Sequence, residues 1–491
     1  MSLISNNLKA KLFEPYQTDG VEWMIKREGV SDTELHGQDN CKGGVLADEV
    51  GLGKTIMTIA LILSNPKQNT LILVPKSLIK QWKTEIEKFG PSISLQVITE
   101  EHTIELNMNP KVNHVILMSQ TKLNNRSSDV KSLVCLKLEY DRVIIDEAHS
   151  IKNHRSKLHK SCALLKTDIR WALTATPVMN KMTDFINLMN WIGVHKFICQ
   201  GWKDHVVERY ILRRTKVQVE SFNKALELPP CIQSVHKVFL TKEEQKLYSD
   251  SLSTMKNTMK ELKKSGQENA FKALEIILRM RQICTCPQSY YDGVYKSKRK
   301  YCLSDDIIEK DVWENEVSKK ILILNSIEGT PHLEKCLVFC HFSNEVRMYS
   351  DALTEKKIRN DFLDGSKSIE ERQSIISNFE TQEDMKVLII QIQTGGQGLN
   401  LQVANNIYIT SPTWNPALQH QIIGRAHRTG QTKSVFVNIY VVTTDSEEDS
   451  TIEEKIITLQ EEKQKMICEV MNEDMTMSLS LQDSKRILNI K

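Results

Sequence analysis

Short apolar runs alternate with stretches of helical spacing along the first third of the chain. Val45, Leu46 and Ala47 lead into a turn containing Gly51 and Gly53, and an apolar run from Ile56 to Leu63 follows. The same alternation recurs in TLILVPKSLIKQWKTEIEKF (Thr70 to Phe89), HVILMSQTKL (His114 to Leu123) and YDRVIIDEAHSIKN (Tyr140 to Asn153). Short β-branched runs that end in turns and pass into helices predict a parallel sheet wound with helices. In such a sheet, binding groups gather at the carboxyl ends of the strands, where Pro75, Ser119 and Asp146 fall. Beyond a lysine-rich, helix-favouring stretch from Leu247 to Met280, a second α/β pattern opens near Lys319. It contains LVFCHF (Leu337 to Phe342), FLDGS (Phe362 to Ser366), a helix from Glu370 to Phe379, and VLIIQIQTGGQGLNLQVANNIYIT (Val387 to Thr410). The tail repeats apolar residues at helical spacing, Ile452, Ile456, Ile457 and Leu459, after an acidic loop at Asp445 to Asp449.

The stretch LADEVGLGKT, Leu46 to Thr55, reads as strand, phosphate loop and helix start. Glycines let backbone N–H groups converge on phosphates, Lys54 can reach the β and γ oxygens, and the Thr55 hydroxyl can ligate Mg²⁺. The spelling departs from the strict pattern, because Asp48 stands where a glycine is required. By itself the stretch reads better as a phosphate loop than as an ordinary turn before a helix, and a carboxylate motif must confirm it. Asp146-Glu147-Ala148-His149, after Val143, Ile144 and Ile145, is that motif. An aspartate ending a buried strand is placed to hold Mg²⁺ through water, and Glu147 to orient and deprotonate the water that attacks the γ-phosphate.

Other candidates are weaker alone. The Gln17 amide can donate and accept together, as reading an adenine edge requires, or it is a solvated glutamine at a helix start. Gly395, Gly396 and Gly398 permit close backbone approach to a phosphate backbone or nucleotide sugar. In WNPALQHQIIGRAHRTGQT, Trp414 to Thr432, the spacing of Gln421, Arg425 and Arg428 predicts one helix with both arginines on one face. Two such arginines could offer fixed positive charge to a γ-phosphate bound on the other lobe.

Composition limits the classes. With 491 residues the chain suits two or three domains, and 65 basic against 62 acidic residues leave it nearly neutral. Nucleic-acid binding would need a local basic surface. No run approaches the length of a membrane span and the start lacks a signal-peptide core, so a soluble intracellular protein is expected. Eleven scattered cysteines without a C-x-x-C pair predict reduced thiols and no structural zinc.

PYQ (15–17), DEVGLGKT (48–55), DEAHSIKN (146–153) and LTATPVMN (173–180) together resemble the first-lobe motifs of the Swi/Snf-like DNA translocases of helicase superfamily two. LRRTK (212–216), LPP (228–230) and LRMRQIC (278–284) resemble segments typical of that family, and the run around Arg425 resembles its motif six. Alanine at 175 and valine at 50 stand where the family usually has glycine and methionine.

The resemblance implies an α/β fold of two RecA-like parallel-sheet lobes with helical protrusions and a C-terminal brace helix. Residues 1–200 would form the ATP-binding lobe, 201–318 the protrusions and linker, 319–445 the second lobe, and 446–491 the brace helix and tail. It implies ATP and Mg²⁺ as cofactors, held by Gln17, Asp48, Glu49, Val50, Gly51, Leu52, Gly53, Lys54, Thr55, Asp146 and Gly398. Glu147 would be the base, with Gln421, Arg425 and Arg428 completing the site. Double-stranded DNA would be the track, contacted by Lys76, Ser119, Gln120, Thr176, Thr394, Trp414 and Asn415, and nucleosomes or transcription proteins the cargo. The chain is expected to be a bare motor without targeting modules, nuclear in location, and similar in its compactness to viral global transactivators. A strand-separating helicase and a DNA-bound regulator with a vestigial ATPase are the alternative expectations.

Overall fold

The computed structural model describes residues 4–29, 41–98, 104–109, 111–123, 134–177, 182–222, 228–264, 270–296, 317–332, 334–395, 399–428, 430–444 and 450–471. Two compact units divide the chain. The first takes Met1–Leu228 and the end of the last helix from Lys463; the second takes Pro229–Glu462. Gly398 and the acidic loop 445–449 lie outside the described residues.

Among the described residues the first unit has seven strands: β1 (Lys42–Leu46), β2 (Asn69–Val74), β3 (Ser94–Ile98), β4 (His114–Ser119), β5 (Arg142–Asp146), β6 (Ile169–Leu173) and β7 (Ile211–Leu212). Their order is β3-β4-β2-β5-β6-β1-β7, and every pairing is parallel. Helices cover both faces of such a sheet, so β2 is buried at every position, and its apolar run does not alternate. One row across four strands fixes the site: Leu212 pairs with Leu46, Leu46 with Leu173, and Leu173 with Asp146.

A buried ion pair ties the helix Tyr16–Gly29 to this sheet. The Arg142 guanidinium grips both carboxylate oxygens of Glu28, at 2.6 and 2.5 Å, and both side chains are fully buried. Glu28 also accepts from the Trp171 indole at 2.8 Å and the Asn65 amide at 2.6 Å. Such satisfaction is what makes a buried charge tolerable.

Among the described residues the second unit has six strands: β8 (Cys231–Phe239), β9 (Lys335–Cys340), β10 (Asn360–Leu363), β11 (Val387–Gln391), β12 (Ala404–Ile409) and β13 (Val435–Thr443). Their order is β10-β11-β9-β12-β13-β8, again parallel throughout. The expected α/β architecture with two parallel sheets is therefore present. One difference stands out: β8 lies inside the stretch expected to be helical linker, yet pairs with β13 over nine positions, Cys231 with Val435 through Phe239 with Thr443. Long helices do follow it, Lys242–Lys264 and Ala270–Thr285. The last helix, Ile452–Met471, is anchored by Glu453, whose carboxylate meets the Lys319 ammonium at 2.7 and 2.8 Å in full burial.

Among the described residues no helix is long and apolar enough to cross a membrane, and no cluster of three or more His, Cys, Asp or Glu side chains could hold a metal ion.

Candidate functional site

The row Leu212–Leu46–Leu173–Asp146 brings the expected chemistry to one end of the first sheet. Past Leu46 the chain runs through Ala47 to Gly53 and enters the helix Lys54–Ser64. Gly53 has φ of 85°, and a Cβ there would come within 2.5 Å of the Gln17 amide nitrogen, so only glycine serves. Thr55 stands on the helix's first turn, where unpaired N–H groups favour an anion. The Lys54 ammonium donates to the carbonyls of Asp48 at 2.6 Å and Glu49 at 3.3 Å. Burial lowers its pKa, against the charges of Glu147, Asp48 and Asp146, which support the ammonium.

Asp146 ends β5. Its Oδ2 accepts from the Trp82 indole at 2.8 Å, its Oδ1 from the Glu147 N–H at 2.8 Å, and its carbonyl from the Gln120 amide at 2.6 Å. Burial, then the Glu147 charge, push its carboxyl up to about 6, while both hydrogen bonds and Lys54 oppose the shift. Glu147 follows with φ of 49°, a left-handed conformation rare for glutamate. His149 Nδ1 lies 3.1 Å from its carboxylate. A lysine at a helix start beside a half-buried aspartate and a half-buried glutamate is a donor set that fits a triphosphate and Mg²⁺.

Several expectations change. Gln17 is buried and turned inward: its Oε1 accepts from Phe13 N–H at 2.9 Å, and its Nε2 donates to the Tyr16 hydroxyl at 3.0 Å and the Leu52 carbonyl at 3.2 Å. Its side chain thus ties the start of the first helix to the loop at Leu52. Asp48 is fully buried and holds Arg214, with Arg214 Nε to its Oδ1 at 3.0 Å and Nη2 to its Oδ2 at 2.5 Å. Glu49 accepts from the Lys216 N–H at 2.8 Å. These two carboxylates tie the loop to the segment Arg214–Lys216.

Among the expected polymer contacts, Lys76 is exposed, and Thr394, Trp414 and Asn415 are half-buried. Ser119, Gln120 and Thr176 are buried, as befits residues packed against strand ends, and Gln120 is committed to Asp146. The Thr176 hydroxyl is buried without a partner among the described residues.

In the second unit the helix Pro416–Ile423 carries Gln421 but stops before both arginines. Gly424 follows, and Arg425 and Ala426 make tighter bonds to residues three back, at 3.1 Å each. The arginines therefore sit on a loop, not on one helical face. Two bonds hold it: the Leu401 backbone N–H donates to the Arg425 carbonyl at 2.9 Å, and the Gln402 side-chain amide to the Arg428 carbonyl at 3.2 Å. Gln431 is its hub, donating to the carbonyls of Gln402 at 2.9 Å, Ala426 at 3.1 Å and Ala404 at 3.2 Å.

Sequence reasoning assigned no role to Trp82, Arg213, Arg214 or Gln431. Only the LRRTK segment offered a signal, and it carried no chemistry until its partners were visible.

A family profile described as SNF2-related domain matches residues 16–205 and 203–289, and one described as Helicase conserved C-terminal domain matches 318–430. An "Uncharacterized ATP-dependent helicase" of Mycoplasma pneumoniae (strain ATCC 29342 / M129 / Subtype 1) is 30% identical over 487 residues, covering 95% of this chain and 43% of that protein. The chain thus spans less than half of that relative. A "Probable global transactivator" of Orgyia pseudotsugata multicapsid polyhedrosis virus is 25% identical over 505 residues, covering 97% of this chain and 94% of that one. The solved structure "Sulfolobus solfataricus SWI2/SNF2 ATPase core in complex with dsDNA" is 26% identical, with 98% and 97% of the two chains covered and a TM-score of 0.39.

Proposed function

The chain belongs to the SNF2-related family, and on that premise we propose that it is an ATP-driven motor that moves along double-stranded DNA without parting its strands. The observation that carries this reading is the register row. It sets the loop that follows Leu46 and the Asp146–Glu147 pair at the end of β5 at the same end of one sheet, on either side of Leu173.

ATP would lie on the loop, with the helix start and Lys54 taking its phosphates. Thr55 and Asp146 would hold Mg²⁺, which would neutralise phosphate charge when bound. Glu147 would accept the proton of the attacking water. Arg425 and Arg428 would provide finger charge, and Gln421 would help position the reacting group. For the track, Lys76, Thr394 and the Trp414–Asn415 corner are the contacts we retain. They are few and suit backbone contact with little sequence preference. The moved object would be a DNA-bound protein, of the chromatin or transcription machinery.

Steady-state ATPase with no polymer, duplex DNA, single-stranded DNA and RNA, with Glu147→Gln as the blank, tests the proposal. Stimulation by duplex alone, together with a closed fork in a strand-trap unwinding assay, is expected. Preference for single strands, with an opened fork, would instead make it a strand-separating helicase, and silence in every lane a regulator with a vestigial ATPase.

A further inference from the structure

The residue that breaks the strict phosphate-loop spelling, Asp48, is firmly held. Asp48 meets Arg214 three times: the guanidinium through Nε and Nη2, and the backbone N–H at 3.0 Å to Oδ1. Arg214 also donates through Nη1 to the Tyr16 carbonyl, and its guanidinium lies over the Tyr16 ring, 5.2 Å from the centroid.

The neighbours of Arg214 work on the same loop. Leu212 carbonyl accepts from Ala47 N–H at 2.7 Å, and Arg214 carbonyl from Glu49 N–H at 3.0 Å, so the strand pairing of β7 continues past its formal end. The Arg213 guanidinium donates to the carbonyls of Ala47 at 3.2 Å and Ala175 at 2.9 Å, bridging the exits of β1 and β6. Next, Thr215 and Gln218 cap each other's backbone N–H at 3.2 and 2.8 Å and start the helix Lys216–Phe222. That helix contributes Val219 to a small buried cluster with Tyr16 and Leu52, from the two sides of the loop.

We propose that Leu212–Val219 is a clamp on the phosphate loop, with Arg214 its positioning residue, acting on bound nucleotide through Asp48. A side chain at 48 would ordinarily crowd a phosphate loop. Here it is drawn back, fully buried, into the arginine fork, while Ala47 and Glu49 are zipped to the same segment. The loop's geometry is thereby set by a segment 166 residues away in sequence. This rests on the ATP reading above, and it assigns the LRRTK segment a task in nucleotide binding.

Titration of the full chain with a fluorescent ATP analogue, without polymer, is the test. Asp48→Asn, which keeps the shape and loses the charge, and Arg214→Gln should each weaken binding about tenfold to a hundredfold, the range of a lost charge-assisted hydrogen bond. The double variant should bind no worse than the weaker single one, since the two act as a unit. Arg214→Lys keeps the charge but cannot span both oxygens, and should recover only part. In ATPase assays the loss should fall on KM more than on kcat. Wild-type-like affinity for Asp48→Asn, or losses that multiply in the double variant, would overturn the clamp. A wild-type chain that binds no nucleotide would overturn the ATP reading with it.

Discussion

The indole N–H of Trp82 donates to Oδ2 of Asp146 at 2.8 Å, from a side chain that is almost wholly buried. A carboxylate oriented this way presents fixed lone pairs to a cation, and the support costs little because the indole would otherwise bury an unpaired donor. Trp82→Phe keeps the ring packing and removes the donor. The Mg²⁺ concentration for half-maximal ATPase should rise about 10–100-fold. An unchanged Mg²⁺ dependence would reduce Trp82 to a packing residue.

Gln431 offers a second lever. Its amide hydrogens meet three backbone carbonyls beneath the loop of Arg425 and Arg428. Gln431→Glu replaces the donors with a carboxylate facing those carbonyls. If the arginines act as proposed, polymer-stimulated kcat should fall about 10²-fold, as small misplacements of catalytic charge do. Affinity for the fluorescent ATP analogue should stay near the wild-type value. Equal loss in both would locate the damage in folding.

Stability should hinge on Arg142. Arg142→Met leaves Glu28 charged and buried, and this should cost about 3–5 kcal/mol. The urea midpoint, followed by tryptophan fluorescence, reports it directly, because Trp171 donates to the same carboxylate. A shift no larger than that of an ordinary surface change would contradict the role given to this pair.

His341 should make the protein acid-sensitive. Burial, then the Arg281 charge, push its pKa down to about 3, while its Nε2 lies 3.0 Å from the Ser411 carbonyl. An unfolded histidine titrates near ~6.5. Between those values the unfolded chain binds the proton more readily, so stability falls as pH drops from about 6.5 toward 3. His341→Gln, which can still donate but cannot be protonated, should flatten that slope in denaturant midpoints measured from pH 7 to pH 4. Parallel slopes for the two proteins would exclude His341 as the source.

The fold was legible where burial is simplest. Leu71 to Val74 and Val143 to Ile145 are covered on both faces, and such runs announce central parallel strands. Cys231–Phe239 did not announce itself, because at the sheet edge its positions are only partly covered, and its partner β13 lies far along the chain. Lys54 and Thr55 fall at a helix start and Asp146 and Glu147 at a strand end, as their local spelling predicts. The uses of Asp48, Gln17 and Gln120 were not legible, since each depends on a partner brought close only by tertiary folding. The helix expected through Arg425 and Arg428 failed for a local reason: the chain tightens after Ile423 at Gly424.

The placement of β8 bears on anyone who would produce the second half by itself. The match to the helicase C-terminal profile spans 318–430, and a fragment cut there would carry β9 to β12 but neither β13 nor β8. The backbone of β12 along Ile407, Tyr408 and Ile409 would lose its partner and lie open to pairing with a second molecule. Such a fragment should precipitate on expression, whereas one beginning at Pro229 keeps the sheet whole. The border that similarity draws is not the border at which this polypeptide can be divided.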